Sequence, residues 1–438
     1  MQVEAWLQRA ARAAPTRTAI QTPRQRLSYA ELAHAARLGA DQIAERGAEA
    51  GERVAIALPP GIEFAIALHA CLLLGAIAVP VDPRLTDEER ERILAGARVI
   101  VREPLRGSGT PATHGLTHDL DAVCAVIHTS GTTSAPRPVE LTYGNFLWSA
   151  IGSGVALGVD PEERWLCALP LSHVGGLSIL IRSAIYATTA IVHERFQTED
   201  VLAALREQRV TLVSLVATTL ARLLDAGLRD PPLLRCALTG GGPVPPALAR
   251  RARDAGVPVL ETYGLTECCS QAATAPLAAA AREVGAGVPL FCTRTEIAAD
   301  GEILLSGPTV ARSARADDGR LHTGDLGRLD ENGFLHVDGR KTDTIISGGE
   351  NVAPSEVEAV LEAHPAVLEA AVVGREDPHW GEAVTAIVVA VAGTSVEERA
   401  LREHCAATLA PFKVPKHVRF VTTPLPRTRS GKLLRRDL

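Results

Sequence analysis

One pattern limits what this chain can fold into more than any other. Through roughly the first 290 of its 438 residues, short β-branched runs alternate with stretches of helical period. The runs predict strands at residues 54–58, 77–81, 99–101, 123–127, 191–193, 212–216 and 257–261. Between them, helical periods occupy residues 29–46, 62–74, 87–95, 199–208, 218–226 and 246–255. Strands joined through helices lie parallel, and parallel sheets need helices over both faces. From Glu296 to Val337 the pattern becomes short strands broken by Asp-Gly and Asn-Gly pairs, which predicts antiparallel β-structure. From Gly339 it changes again, to helix, two strands, helix and strand. The expected architecture is α/β: an N-terminal domain over 1–338, with a β-rich subdomain from about 290, then a small α+β domain over 339–438.

Composition supports this and closes off other classes. With 46% hydrophobic and 22% charged residues, the chain can bury large cores and is not a disordered sequence. A net charge of −6 gives no basic field for nucleic acid. Eight cysteines without a C-x-x-C pair read as reduced core thiols of a cytoplasmic protein. Residues 1–14 read as an amphipathic helix, not a signal peptide. The longest apolar run, Phe64 to Val79, is shorter than the roughly 20 residues of a membrane span and reads as a buried helix entering a strand.

Several Gly- and hydroxyl-rich segments stand at predicted strand ends. Thr129-Ser130-Gly131-Thr132-Thr133, followed by Arg137, can cradle phosphate with backbone N–H groups, hydroxyls and a cation. Gly240-Gly241-Gly242 lets backbone approach a flat group closely. Tyr263-Gly-Leu-Thr266-Glu267 offers a ring for a purine and oxygen donors for Mg²⁺. His322-Thr-Gly-Asp325-Leu326 places a carboxylate in a turn, where it could take a diol. Asn351 and Ser355 are candidate helix caps, and Lys432, framed by Ser430-Gly431 as if delivered on a turn, lies in a basic stretch from Lys413 to Arg436. Singly, each segment serves equally as a solvated loop or tight turn.

Taken in order, these segments resemble the adenylate-forming superfamily of acyl- and aryl-CoA ligases, luciferases and peptide-synthetase adenylation domains, across nearly the whole chain. Within it, residues 169–186, 213–218 and 261–271 resemble the o-succinylbenzoate–CoA ligases most. The resemblance implies a carboxylate attacking the α-phosphate of ATP, with Mg²⁺, to give an acyl-adenylate, then coenzyme A displacing AMP. It implies that Thr129, Ser130, Gly131, Thr132, Thr133 and Arg137 hold phosphates, and that Thr266 and Glu267 hold the α-phosphate and metal. It places Gly240, Gly241, Gly242 and Tyr263 at adenine, and Asp325 and Arg340 at ribose. Lys432 would serve adenylation, His173, Arg182 and Ser270 would line the acid pocket, and Thr342 would be the hinge of a mobile C-terminal lid. Arg182, in an apolar helix, needs an anionic partner: an internal carboxylate or a second carboxylate on the substrate. The phosphate loop departs from the family pattern at Ser134, Arg137 and Pro138, so weaker ATP binding is expected. Other aryl-acid ligases, carrier-protein loading and a non-catalytic ligand-binding relative stay open. The expected partners are small molecules; a homo-oligomer is left open.

Overall fold

The computed structural model describes residues 1–107, 109–111, 115–129, 137–280, 285–427 and 433–438. Its largest sheet has nine strands. Six run parallel, in the spatial order Val259–Tyr263, Cys236–Thr239, Leu212–Leu215, Arg164–Cys167, Thr189–Val192, Thr18–Gln21. A second sheet places Val99–Val101, Arg53–Ile56, Ile77–Pro80 and Val123–Thr129 in parallel, with Arg137–Thr142 antiparallel at its edge. Helices pack on these sheets. Ile62–Leu74 is buried at nearly every position and enters the strand Ile77–Pro80, as its unbroken apolar run predicts. The main core joins residues of both sheets. Among the described residues, no helix is long and apolar enough to cross a membrane.

Four antiparallel strands follow, Arg294–Ile297, Glu302–Ser306, Leu321–Leu329 and Leu335–Arg340. The last continues to Arg340, and the next sheet begins at Ile345. That sheet pairs Val367–Asp377, Gly381–Ala390 and His417–Val421, packs the helices Pro354–Glu362 and Glu398–Ala406, and has its own core around Val357, Leu361, Val372, Val388 and Leu401.

Three local expectations are corrected. Residues 1–14 are not one helix: Gln2–Glu4 is a strand paired with Thr117–Asp119, and the helix starts at Trp6. The Ala5 N–H donates to the Leu116 carbonyl at 2.8 Å, so the ladder holds this stretch extended. Neither Asn351 nor Ser355 caps a helix. Asn351 lies in the strand Glu350–Val352, while Ser355 Oγ donates to the Asp338 carbonyl. Asp325 sits inside the strand Leu321–Leu329, not in a turn, with positive φ confined to Gly324. In the basic C-terminal stretch, Lys413 pairs with Glu356 at 2.7 Å, Arg427 with Glu369 at 3.3 Å, and Arg435 with Glu358 and with Asp343 at 3.2 Å. All eight cysteines are free thiols and seven are buried.

Candidate active site

In an open parallel sheet, ligands bind beyond the carboxyl ends of the strands where the strand order reverses. Here that point lies between Arg164–Cys167, which continues to Thr189–Val192 on one side, and Leu212–Leu215 on the other. The chain leaving Cys167 reaches His173, the N-cap of the helix Val174–Tyr186. His173 Nε2 lies 4.0 Å from Asp82 Oδ2, just past the strand Ile77–Pro80. Burial pulls the His173 pKa below its usual value, with Asp82 opposing and Arg84 assisting. Burial acts to raise Asp82, but its hydrogen bonds from Arg84 outweigh it and hold the carboxyl at about 2.

Further along the same helix, Arg182 is 2% exposed. Its Nη2 donates to Ser149 Oγ at 2.8 Å, and Ser149 Oγ donates to the Cys269 carbonyl at 2.7 Å. The guanidinium lies 5.8 Å from the centre of the Trp165 ring. Its Nε has no partner, and no carboxylate among the described residues pairs with it. Burial lowers its pKa, with Tyr186, Cys269 and Cys292 opposing. An internal acid is thus not the answer to this cation among the described residues. Cys269 and Ser270 both have positive φ, 56° and 91°, conformations costly for non-glycine residues. They follow directly on the short 3₁₀ turn Thr266–Cys268, which carries Thr266 and Glu267.

The residues expected at the nucleotide also meet. Asp325, 6% exposed, faces Arg340 across the ladder, and Arg340 Nε lies 2.8 Å from Asp325 Oδ1. Tyr263, at the end of its strand in the nine-stranded sheet, donates to Asp325 Oδ2 at 2.7 Å. Burial, with Asp325 beside it, drives the phenol well above its usual pKa. Of the three glycines, Gly240 is required by space, since a Cβ would lie 2.8 Å from the Thr262 carbonyl oxygen. Gly241 is required by its φ of +78°, whereas Gly242 is constrained by neither.

Thr129 ends one strand and Arg137 begins the strand paired with it, and Thr129 Oγ1 donates to the Arg137 carbonyl at 3.2 Å. Ser130, Gly131, Thr132, Thr133 and Lys432 lie outside the described residues. Thr342 is exposed in the short turn Lys341–Asp343, between the antiparallel sheet and the C-terminal one. Sequence reasoning missed Asp82, Arg84 and Ser149. The strand-end rule could have found Asp82; nothing in the sequence marks Ser149.

Comparison with known proteins follows the same lines. Residues 7–117 and 102–313 match the AMP-binding enzyme family, and residues 356–432 match the AMP-binding enzyme C-terminal domain. The chain belongs to the AMP-binding enzyme family. It is 38% identical to the 2-succinylbenzoate–CoA ligase of Bacillus subtilis (strain 168), over 99% of this chain and 97% of that protein. It is 40% identical to the enzyme of the same name from Geobacillus kaustophilus, over 99% and 96%. Among solved structures, it is similar to the o-succinylbenzoate CoA synthetase (MenE) of Bacillus subtilis in complex with the acyl-adenylate intermediate OSB-AMP. The TM-score is 0.91 at 37% identity, covering 100% of this chain and 98% of that one. ATP-bound MatB from Rhodopseudomonas palustris superposes with a TM-score of 0.88 at 27% identity, covering 98% and 97%. The resemblance read from the ordered motifs is borne out across the whole length.

Proposed function

We propose that this protein is an ATP-dependent acid–CoA ligase that converts 2-succinylbenzoate to 2-succinylbenzoyl-CoA through an acyl-adenylate. The observation that carries the substrate assignment is Arg182: a buried cation, on the helix that His173 caps, with an unpartnered N–H and no carboxylate beside it among the described residues. A dicarboxylic acid supplies the missing anion with its second carboxylate while the first reacts. Full-length relatives that carry the name 2-succinylbenzoate–CoA ligase support the same reading.

In the first step the acid's carboxylate oxygen bonds to the α-phosphorus of ATP and pyrophosphate leaves. In the second, the CoA sulfur bonds to the acyl carbon and AMP leaves. Such transfers need alignment and charge neutralisation more than a covalent catalyst. Residues 129–133 with Arg137 hold the β- and γ-phosphates, and Lys432 stabilises the charge that builds at the α-phosphate. Glu267 and Thr266 present the oxygen donors that Mg²⁺ prefers, and the ion neutralises phosphate charge when bound. Tyr263 stacks on adenine beside Gly240 to Gly242, and the Asp325–Arg340 pair takes the ribose. His173 and Ser270 line the acid pocket. Residues 339–438 act as a lid that turns about Thr342 between the two steps, so that Lys432 serves only the first.

The decisive assay is CoA-thioester formation from aryl acids with and without a second carboxylate. 2-Succinylbenzoate is expected to be the best substrate. Arg182→Ala should cut its kcat/KM by about a hundredfold, as the loss of a buried charged hydrogen bond does, and should leave a monocarboxylic acid nearly untouched. Equal losses for both acids would remove the dicarboxylate reading. Absence of ATP–pyrophosphate exchange with every acid would make the protein a ligand-binding relative instead.

A further inference from the structure

We infer that Ser149 is a specificity-determining positioning residue, which holds the Arg182 guanidinium in register with the turn that carries Thr266 and Glu267. The inference rests on the dicarboxylate reading above and deepens it.

Ser149 lies on the helix Tyr143–Leu157 and is 1% exposed. Its hydroxyl has one proton, which goes to the Cys269 carbonyl at 2.7 Å. The oxygen's lone pairs are then left for Arg182 Nη2, at 2.8 Å. The direction of the two bonds is therefore fixed: a cation donates in and a carbonyl accepts out. The carbonyl belongs to a residue whose backbone is already in the left-handed region, as is that of Ser270 after it. Such a conformation persists only where its surroundings hold it, and the Ser149 hydroxyl is one of the groups that do so. On the other side, Trp165 lies under the guanidinium, and its own Nε1 is occupied by Ser214 Oγ at 2.9 Å. An indole N–H only donates, so Trp165 gives Arg182 a face but no hydrogen-bond acceptor. Among the described side chains, Ser149 alone fixes the guanidinium by a hydrogen bond, and Nε has no partner.

The consequence is a link between acid recognition and the reacting end of the site. Placing a carboxylate on Arg182 loads a group tied, through one hydroxyl, to the backbone two residues beyond Glu267. Without the hydroxyl, Arg182 Nη2 and the Cys269 carbonyl both lose a partner in a dry environment. The guanidinium is then free to turn away from the bound acid.

The test measures kcat/KM for 2-succinylbenzoate and for a monocarboxylic aryl acid in the wild type, Ser149→Ala, Ser149→Thr and Arg182→Ala. The readout is the ratio of the two constants in each protein, which does not depend on how much of a variant is folded. Ser149→Ala is expected to lower this ratio about tenfold, with the change in KM for the dicarboxylate. Ser149→Thr, which keeps the hydroxyl, should restore the ratio to within about threefold of wild type, and Arg182→Ala should lower it most. If Arg182→Ala lowers the ratio and Ser149→Ala does not, the inference fails and the dicarboxylate reading stands. If Arg182→Ala leaves the ratio unchanged, both fail. A Ser149→Ala loss that Ser149→Thr does not relieve also overturns the inference, since the hydroxyl would then not be the cause.

Discussion

At residue scale, the Tyr263–Asp325–Arg340 cluster is the part of the site whose chemistry is most completely set before any ligand arrives. Asp325 already holds a cation and a phenol, so a diol entering here exchanges partners with the carboxylate. Replacing Asp325 with Asn keeps an acceptor for Tyr263 but leaves Arg340 without its countercharge. The KM for ATP is expected to rise about tenfold, while the KM for the acid stays nearly constant. Stability should fall by about 1–3 kcal/mol, the cost of unpairing a partly buried charged bond. Pyrophosphate exchange at varied ATP measures the first effect and chemical denaturation the second; an unchanged KM for ATP would remove Asp325 from the nucleotide site. Arg182 was legible in the sequence because a charge in an apolar helix stands out, and His173 and Asp325 because they fall in segments that resemble the family's motifs. Ser149 was not, since a serine among Trp148, Ala150 and Ile151 carries no such contrast. Its meaning comes from a helix-to-helix approach that only folding creates.

At the scale of elements, the strongly periodic helices and the β-branched strands were legible almost to the residue. The helix Tyr143–Leu157 was not, although it carries Ser149. It has Gly and Ser at many of its buried positions, so it lacks both helix propensity and an apolar stripe. Its start is fixed by a reciprocal Thr142–Asn145 cap. The short strand Arg164–Cys167 was hidden too, because it contains no β-branched residue. The helix that bears Arg182 depends on one glycine of a pair. A Cβ on Gly176 would lie 2.4 Å from the Pro170 carbonyl oxygen, whereas one on Gly175 would find only Leu169 Cδ1 at 3.6 Å. Gly176→Ala must therefore push the helix start away from the segment leading to His173, and Gly175→Ala need not. Gly176→Ala is expected to cost about 1–3 kcal/mol and to raise the KM for the acid, with Gly175→Ala close to wild type. Matching losses in the two variants would show that the close approach is not what positions this helix.

At the scale of the whole molecule, two buried histidines should set the acid limit of stability. His69 is fully buried, which lowers its pKa to about 4. His118 is lowered to about 3, first by burial and then by His69, and its Nε2 accepts from the Trp6 N–H at 3.3 Å. Both are neutral in the folded protein, whereas an unfolded chain takes up their protons near the ordinary value of about 6.5. Their contribution is thus complete above pH 6.5 and is lost as the pH falls toward 4 and then 3. Around pH 5 the two together should cost about 2–3 kcal/mol per pH unit. His69→Gln should roughly halve that slope in denaturation series at pH 7, 5.5 and 4.5; an unchanged slope would show that a protonated His69 is accommodated.

The nine-stranded sheet also carries a consequence for biosynthesis. Its parallel strand Thr18–Gln21 pairs with Thr189–Val192, so Ile20 lies beside a residue made about 170 positions later. At a synthesis rate of about 5–20 residues per second, that neighbour emerges roughly 10–30 seconds after the strand it completes. Through that interval Ile20, which ends 1% exposed, has no parallel partner strand to cover it. A ribosome-bound chain of this protein therefore has reason to recruit a chaperone early, well before any part of its catalytic centre has been synthesised in full.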